Sequence, residues 1–526
     1  MVKVLISDRM SPRAVSIFHD RGIEVDERYD LDPAELSAVI SEYDGVAVRS
    51  STKLMADILA KSDRLKVIGR AGIGVDNIDV PAATAKGVVV MNAPFGNSIT
   101  TAEHAIAMML ALARHIPQAD HSTQGGKWEK SRFLGVEVAG KILGVVGCGN
   151  VGAIVADRAQ GLKMKVLAYD PYLSAERAIE IGVEKSELDD LLARADFVSL
   201  HAPLTDATRG VIDARALTKM KSGARLINCA RGGLVVEEAL REALESGHLA
   251  GAALDVFAEE PARNSALFGL ENMIATPHLG ASTAEAQENV AAQIAEQMSD
   301  YLLVGAVSNA LNMPAVSAED APKLRPYMAL ASQLGRLVGQ IVESGLRTVT
   351  IEFSGAVTAL NTRPLTSIAL EGLLAQQLDS VNMVNAPVIA RERNIVVREV
   401  TTEIASNYQT LLRLIVETDV GIHDVSGTLF SDQNPRVVEI DGIKVEAELG
   451  RHMIYLSNED KPGIIGSLGT TLGNAGVNIA TFHLGRANLG GDAMALIQVD
   501  DAIEEGVLSR LRNLSHVKQV RALHFE

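Results

Sequence analysis

Three short stretches of this chain carry residue types suited to proton and charge handling. Asn228-Cys229-Ala230-Arg231-Gly232-Gly233 presents an always-charged planar guanidinium in a glycine-rich turn, a fork that matches a carboxylate or a polarised carbonyl. Leu254-Asp255-Val256-Phe257-Ala258-Glu259-Glu260-Pro261 supplies a carboxylate, Glu260, immediately before a proline-fixed turn. Thr276-Pro277-His278-Leu279-Gly280-Ala281 supplies an imidazole, the side chain that most readily exchanges a proton near neutral pH. A histidine oriented by a carboxylate can take the hydroxyl proton of a secondary alcohol as its hydride departs, while an arginine holds an adjoining carboxylate in line. Taken singly, the three read as a surface arginine, a turn acid and a strand-end histidine. Their weight comes from a fourth stretch upstream.

That stretch is Lys141-Ile-Leu-Gly-Val-Val-Gly-Cys-Gly-Asn-Val-Gly152. A β-rich run enters Gly147-x-Gly149-x-x-Gly152, a helix-like segment follows, and a second strand, KVLAY, ends at Asp170. Gly147 permits the tight turn, Gly149 lets a pyrophosphate approach the backbone, and Gly152 lets the helix pack close to the strand. The helix N-terminus then offers unpaired N–H groups and partial positive charge to the phosphates. A carboxylate at Asp170 accepts from both ribose hydroxyls and repels a 2′-phosphate, which selects NAD over NADP. A hydride acceptor therefore accompanies the acid–base set.

The elements that must position these groups are strands alternating with helices. Residues 1–98 hold VKVLIS, DGVAVR, LKVIGR and GVVVMN between helix-like segments, which predicts a parallel sheet with helices on both faces. Arg49 and Arg70 end two of these strands, with Ser50 and Gly72 beside them. They are candidate phosphate or carboxylate holders. Asn97 and Ser98 either line the cleft or cap the next helix. Thr100-x-x-Glu103 predicts a capping box opening a long amphipathic helix. The second unit contains the strands KILGVV, KVLAY, DFVSL, ARLINC, GAALDV and NMIATP, each ending in a polar or Gly/Pro-rich turn. A helix from about Ala284 to Val304 is expected to return to the first unit. The predicted domains are 1–98 plus 284–314 for substrate, 99–283 for NAD, 315–450 as an α+β intervening unit, and 451–526 as a β-α-β-β-α-β, ferredoxin-like unit. The fold class is α/β, with a Rossmann-like and a flavodoxin-like doubly wound sheet followed by two α+β units.

The net charge of −17 over 526 residues argues against nucleic acid or an anionic membrane as partner. It also means that an anionic substrate depends on a local concentration of arginine. No apolar run is long enough to span a bilayer, and MVKVLISDRM reads as a first strand, not a signal peptide. The expected compartment is the cytoplasm. Cys148 and Cys229 are the only cysteines, so neither a disulfide framework nor a metal-ligand spacing is expected.

The motifs GRAGIGVDNID, NAPFGNSITTAEH, VVGCGNVG, NCARGG, LDVFAEEP and TPHLGAST, spread over residues 69 to 283, resemble the NAD-dependent D-isomer-specific 2-hydroxyacid dehydrogenases. The likeness extends to both chain ends and to the long form that carries an intervening and an ACT domain. It implies Arg231, Glu260 and His278 as catalytic residues. It further implies NAD contacts at Asn150, Val151, Asp170, Cys229, Ala230, Arg231, Asp255 and the run His278, Leu279, Gly280 and Ala281, in addition to the glycines. The implied activity is oxidation of a small phosphorylated 2-hydroxy acid, 3-phospho-D-glycerate, to the 2-keto product at the entry to serine synthesis. The implied assembly is a homotetramer. Trp128 in the basic arm Lys127, Lys130, Arg132 would reach a neighbouring subunit's anion site. His201 is expected to be structural or adenine-side. An ACT-like tail implies serine as an effector at an ACT–ACT interface, held by Asn458, Asp460 and Asn478 beside a helix N-terminus. Two alternatives stay open: a family member acting on glyoxylate, hydroxypyruvate, D-lactate or 2-oxoglutarate, and a dinucleotide-sensing protein without turnover.

Overall fold

The computed structural model describes residues 2–525 apart from 343, 377, 379–380 and 404–407. The chain forms four sheets. The first has five parallel strands in the order Glu24–Glu27, Lys3–Ile6, Gly45–Val48, Val67–Arg70, Val89–Asn92. The strands Gly45–Val48 and Val89–Asn92 are buried along their whole length, as a sheet covered on both faces requires. The helix Pro12–Asp20 packs on the helix Ala284–Val304, and the latter also lies on three strands of this sheet. The return of that helix to the N-terminal sheet agrees with the sequence reading. Thr283 caps its start through Ala286 N and Gly305 ends it at φ +76°. Gly69 marks the closest approach: a Cβ there would stand 2.2 Å from Met298 Sδ. One apolar core continues from this face through Val307 and Val316 into the helix Ala321–Ile341 and the third sheet.

The second sheet is wholly parallel and reads Met273–Ala275, Gly251–Leu254, Arg225–Asn228, Phe197–Leu200, Ile142–Val146, Lys165–Tyr169, Glu184–Lys185. The order reverses between Ile142–Val146 and Phe197–Leu200, so a crevice opens at their carboxyl ends. Six strands match the predicted ones. The seventh, Glu184–Lys185, has two exposed residues and lacks the apolar run that would announce it.

The helix Ser98–Arg114 connects the first sheet to the second and packs on the helix Asn150–Gly161. It does not open with the predicted capping box. Ser98 Oγ donates to Pro94 O at 2.9 Å, the helix has already begun there, and Thr100 and Glu103 fall inside its first turns.

The third sheet runs Val396–Thr402, Leu346–Gly355, Thr410–Thr418, Ile422–Phe430, Asn434–Ile440, Ile443–Ala447. Two of its strands, Thr410–Thr418 and Ile422–Phe430, were not foreseen. The fourth sheet, Ile479–Arg486, Asp492–Val499, His452–Glu459, Val517–His524, is antiparallel and carries the helices Ile464–Asn474 and Glu505–Arg512. This is the predicted β-α-β-β-α-β order. Among the described residues no helix is long and apolar enough to cross a membrane.

Candidate active site

The carboxyl ends of the first two sheets face each other across a cleft of about 930 Å³. Arg49, Arg70, Arg231, Asp255, Glu260 and His278 line its walls, whereas the Gly147–Gly152 turn and Asp170 lie outside that lining. Gly147 adopts φ +88°, and a Cβ there would lie 2.7 Å from Ala202 N. A Cβ on Gly152 would lie 2.0 Å from Gly147 O, whereas Gly149 faces open space. The turn is therefore closed on the protein side and open on the ligand side. Asn150 and Val151 begin the helix whose first N–H groups point at that opening. Asp170 ties the turn to the second strand: its Oδ2 accepts from Cys148 N and its Oδ1 from Tyr172 N, both at 2.8 Å. A 2′-phosphate brought to this edge would meet the Asp170 carboxylate. His201 follows the switch-point strand, shares a 2.8 Å bond between Nε2 and Ser199 Oγ, and is pushed by burial down to about 4. It is neutral at physiological pH and stands behind the glycine turn.

Arg231 lies at the junction of the two sheets. Its Nε donates to Asp76 Oδ2 at 3.0 Å and its Nη1 to Ala230 O at 2.6 Å. Asn228 sets the turn, with Nδ2 donating to Arg231 O and Oδ1 accepting from Ala230 N. Opposite it, Arg49 and Arg70 reach the same cleft from the first sheet. Arg70 is mostly buried, and burial followed by the nearby Arg231 pushes its guanidinium down to about 10. Its Nε is buried without a hydrogen-bond partner among the described residues. Its Nη1 overlies Gly72, where a Cβ would come within 1.7 Å. Ser50 and Asn97 line the cleft as well. Asn97 gives no side-chain cap to its helix; it is buried with Oδ1 unpartnered among the described residues. Of its two predicted alternatives, cleft lining is the one the geometry adopts.

His278 Nδ1 and Glu260 Oε2 are 2.7 Å apart. Glu260 Oε1 also accepts from Phe257 N at 3.1 Å. Burial raises the Glu260 carboxyl, but the bonds from His278 and Phe257 outweigh it and hold the group below its usual range. With Nδ1 engaged, Nε2 is left for the cleft. Gly280 is buried, Leu279 is exposed, and Ala281 lines the cleft. Cys229 and Cys148 are buried, and burial pushes both thiols up, so neither is a nucleophile at neutral pH. The Asp255 side chain has no exposure. Its oxygens accept from Thr276 Oγ1, Leu279 N and Gly280 N, which fixes the loop that carries His278. Asp76, Thr276 and His104, the last 3.3 Å from Asp255 Oδ1, were not singled out in the sequence. Only their presence inside the motifs GRAGIGVDNID, TPHLGAST and NAPFGNSITTAEH marked them.

Residues 106–280 match the NAD binding domain of the D-isomer specific 2-hydroxyacid dehydrogenases, 323–441 the D-3-phosphoglycerate dehydrogenase intervening domain, and 452–516 the ACT domain. A D-3-phosphoglycerate dehydrogenase of Synechocystis sp. is 44% identical over 98% of this chain and 94% of its own length. One of Methanocaldococcus jannaschii is 40% identical over the whole of both chains. The chain belongs to the D-3-phosphoglycerate dehydrogenase branch of the D-isomer-specific 2-hydroxyacid dehydrogenases. It is an NAD-dependent dehydrogenase. Among solved structures, the TT0316 protein of Thermus thermophilus superposes with a TM-score of 0.55 at 32% identity, covering 59% of this chain and all of its own. A glyoxylate reductase from Paecilomyes thermophila gives 0.55 at 27%, over 59% and 98%.

The effector candidates are arranged differently. Met453 pairs with Gln498 and Gln498 with Thr481, while Asn458 pairs with Ala493 and Ala493 with Arg486. Asn478 therefore stands at the opposite end of the sheet from Asn458 and Asp460. Within one chain, Asp460 and Asn478 thus flank parallel strands separated by one antiparallel strand, at unlike ends. Asp460 Oδ2 accepts from Gly490 N and Arg486 Nη1, and Asn478 Nδ2 donates to Asp500. Trp128 is exposed at 88%, and in its arm Arg132 pairs with Glu129 and Glu271 of the same chain.

Proposed function

We propose that the cleft oxidises 3-phospho-D-glycerate to 3-phosphohydroxypyruvate, with Arg231, Glu260 and His278 as the catalytic residues. The observation that carries this reading is the convergence of Arg49, Arg70 and Arg231 on a cleft that also holds the His278–Glu260 pair. A buried guanidinium with an unused donor is costly unless an anion completes it, and a substrate with a carboxylate at one end and a phosphate at the other meets that demand twice.

In this mechanism Arg231 grips the substrate carboxylate and the adjoining oxygen. Arg49 and Arg70, with Ser50, Gly72 and Asn97, hold the phosphate end. His278 Nε2 takes the hydroxyl proton, and Glu260 stabilises the resulting imidazolium through Nδ1. NAD, when bound, supplies the hydride acceptor. The turn Gly147–Gly152 faces its pyrophosphate and Asp170 its ribose. Cys229, Ala230, Asp255 and His278–Ala281 form or fix the wall on the nicotinamide side.

The same reading divides the chain into substrate (1–98 plus 284–314), NAD (99–283), intervening (315–450) and ACT (451–526) units. It places the enzyme in the cytoplasm as a homotetramer. Serine is its feedback effector, bound where Asn458 and Asp460 of one copy meet Asn478 of another. The test is steady-state turnover with NAD on a panel of 2-hydroxy acids, with and without serine. Highest kcat/KM for the phosphorylated acid supports the reading. Equal or better use of D-lactate or glycolate overturns the substrate, and no turnover of any overturns the enzyme.

A further inference from the structure

His278 is held in an unusual backbone state. Its φ is +56°, a left-handed conformation that a β-carbon disfavours and that persists only where neighbours over-determine it. The neighbour here is Asp255. Its carbonyl accepts from His278 N at 2.9 Å, and its carboxylate accepts from Leu279 N at 2.7 Å and Gly280 N at 2.8 Å. Three consecutive amides of the loop thus end on one residue. That carboxylate is fully buried. Burial raises it, and bonds from His104, Thr276 and Leu279 bring it below its usual range.

His104 lies in the helix Ser98–Arg114, which begins beside the cleft-lining Asn97. Its Nε2 stands 3.3 Å from Asp255 Oδ1 and 3.4 Å from Thr276 Oγ1, and Thr276 Oγ1 donates to the same carboxylate oxygen at 2.6 Å. We propose that His104 is a positioning residue for His278: it donates to Asp255 and so keeps the buried carboxylate in register with the amides of Leu279 and Gly280. The helix that connects the two sheets therefore has a direct line to the proton-transferring side chain.

The proposal rests on the assignment of His278 as the proton carrier, and the experiment separates the two. His278→Ala, His104→Ala, His104→Gln and Thr276→Val are compared by NADH fluorescence titration and by steady-state kinetics in the full-length enzyme. His104→Ala is expected to lower kcat on the order of 10- to 100-fold, the scale of a misplaced catalytic group, with NADH affinity nearly unchanged. His104→Gln, which keeps a donor, is expected to recover part of that loss. Thr276→Val reaches the same carboxylate from the other side and should lower kcat in the same sense, which covers the case of a His104 variant that does not fold. Wild-type kcat in His104→Ala, or a loss confined to NADH affinity, overturns the proposal while an inactive His278→Ala leaves the catalytic assignment standing. An active His278→Ala overturns the assignment itself.

Discussion

In the cleft, Arg70 keeps a buried Nε without a partner among the described residues, Asn97 keeps a buried oxygen in the same state, and four arginines, Arg49, Arg70, Arg209 and Arg231, line one space. In the C-terminal sheet, Asp460 is already engaged by Arg486 and Gly490, Asn478 by Asp500, and the two stand at opposite ends. The first region is a site that one chain assembles, legible from donors left waiting for an anion. In the second, each of these side chains already has a partner within the chain. Unsatisfied buried polarity is a good guide to the former kind of site and a poor guide to the latter.

The largest effect that would break this contrast belongs to His278. His278→Ala should cost about 10²–10⁴-fold in kcat with NADH binding retained; turnover near wild type would remove the cleft from the chemistry. Arg231→Lys should lose on the order of 10- to 100-fold in kcat/KM, because lysine cannot reproduce a planar fork already anchored on Asp76.

Glu260→Gln should cost less and change shape as well as height. The wild-type carboxyl is held below its usual range, so it stays ionised as pH falls toward that lowered value and is available to stabilise the imidazolium that forms when His278 takes a proton. Without that charge the ring protonates less readily. The acid limb of kcat/KM for oxidation should then move to lower pH, and a limb that stays in place would show that the pair does not act together. The bond between Glu260 and His278 also contributes stability that is present above the unfolded carboxyl's range and lost as pH falls through its folded value. Glu260→Gln should therefore flatten that part of the melting-temperature profile.

Asp170→Ala should lower the NAD over NADP preference about tenfold, read as the ratio of kcat/KM values. The smallest catalytic change is expected from Asp460→Ala. It should leave kcat in place and remove inhibition by serine, with calorimetry showing no serine heat. A serine heat that survives this substitution would move the effector site elsewhere and dissolve the contrast.

The parallel strands were legible because burial on both faces demands unbroken apolar runs such as KILGVV and GVVVMN. Their ends were legible because glycine, proline and charge collect there. Thr410–Thr418 was harder to read: in TLLRLIVET two of the residues between the buried positions, Leu411 and Ile415, are themselves apolar, so alternation is partly hidden. Ile422–Phe430 is polar for half its length and owes its place to pairing on both sides. Within the cleft, the Arg231–Glu260–His278 set could be read from chemistry alone. Asp76 could not, because it meets Arg231 only once the two sheets face each other, and neither could His104, which meets Asp255 only once the helix Ser98–Arg114 has packed on the second sheet.

The helix Ala284–Val304 returns to a sheet whose strands end at Asn92. On the ribosome, the whole of the second sheet must emerge before that helix can. Until then, the face of the first sheet that receives Ile294 and Met298 at Gly69 has nothing to cover it. The N-terminal residues are thus the first to be made and among the last to be finished. A nascent chain stalled before residue 284 would expose an apolar surface prone to association, so ribosome pausing ahead of this helix would raise the demand for chaperones more than pausing after it.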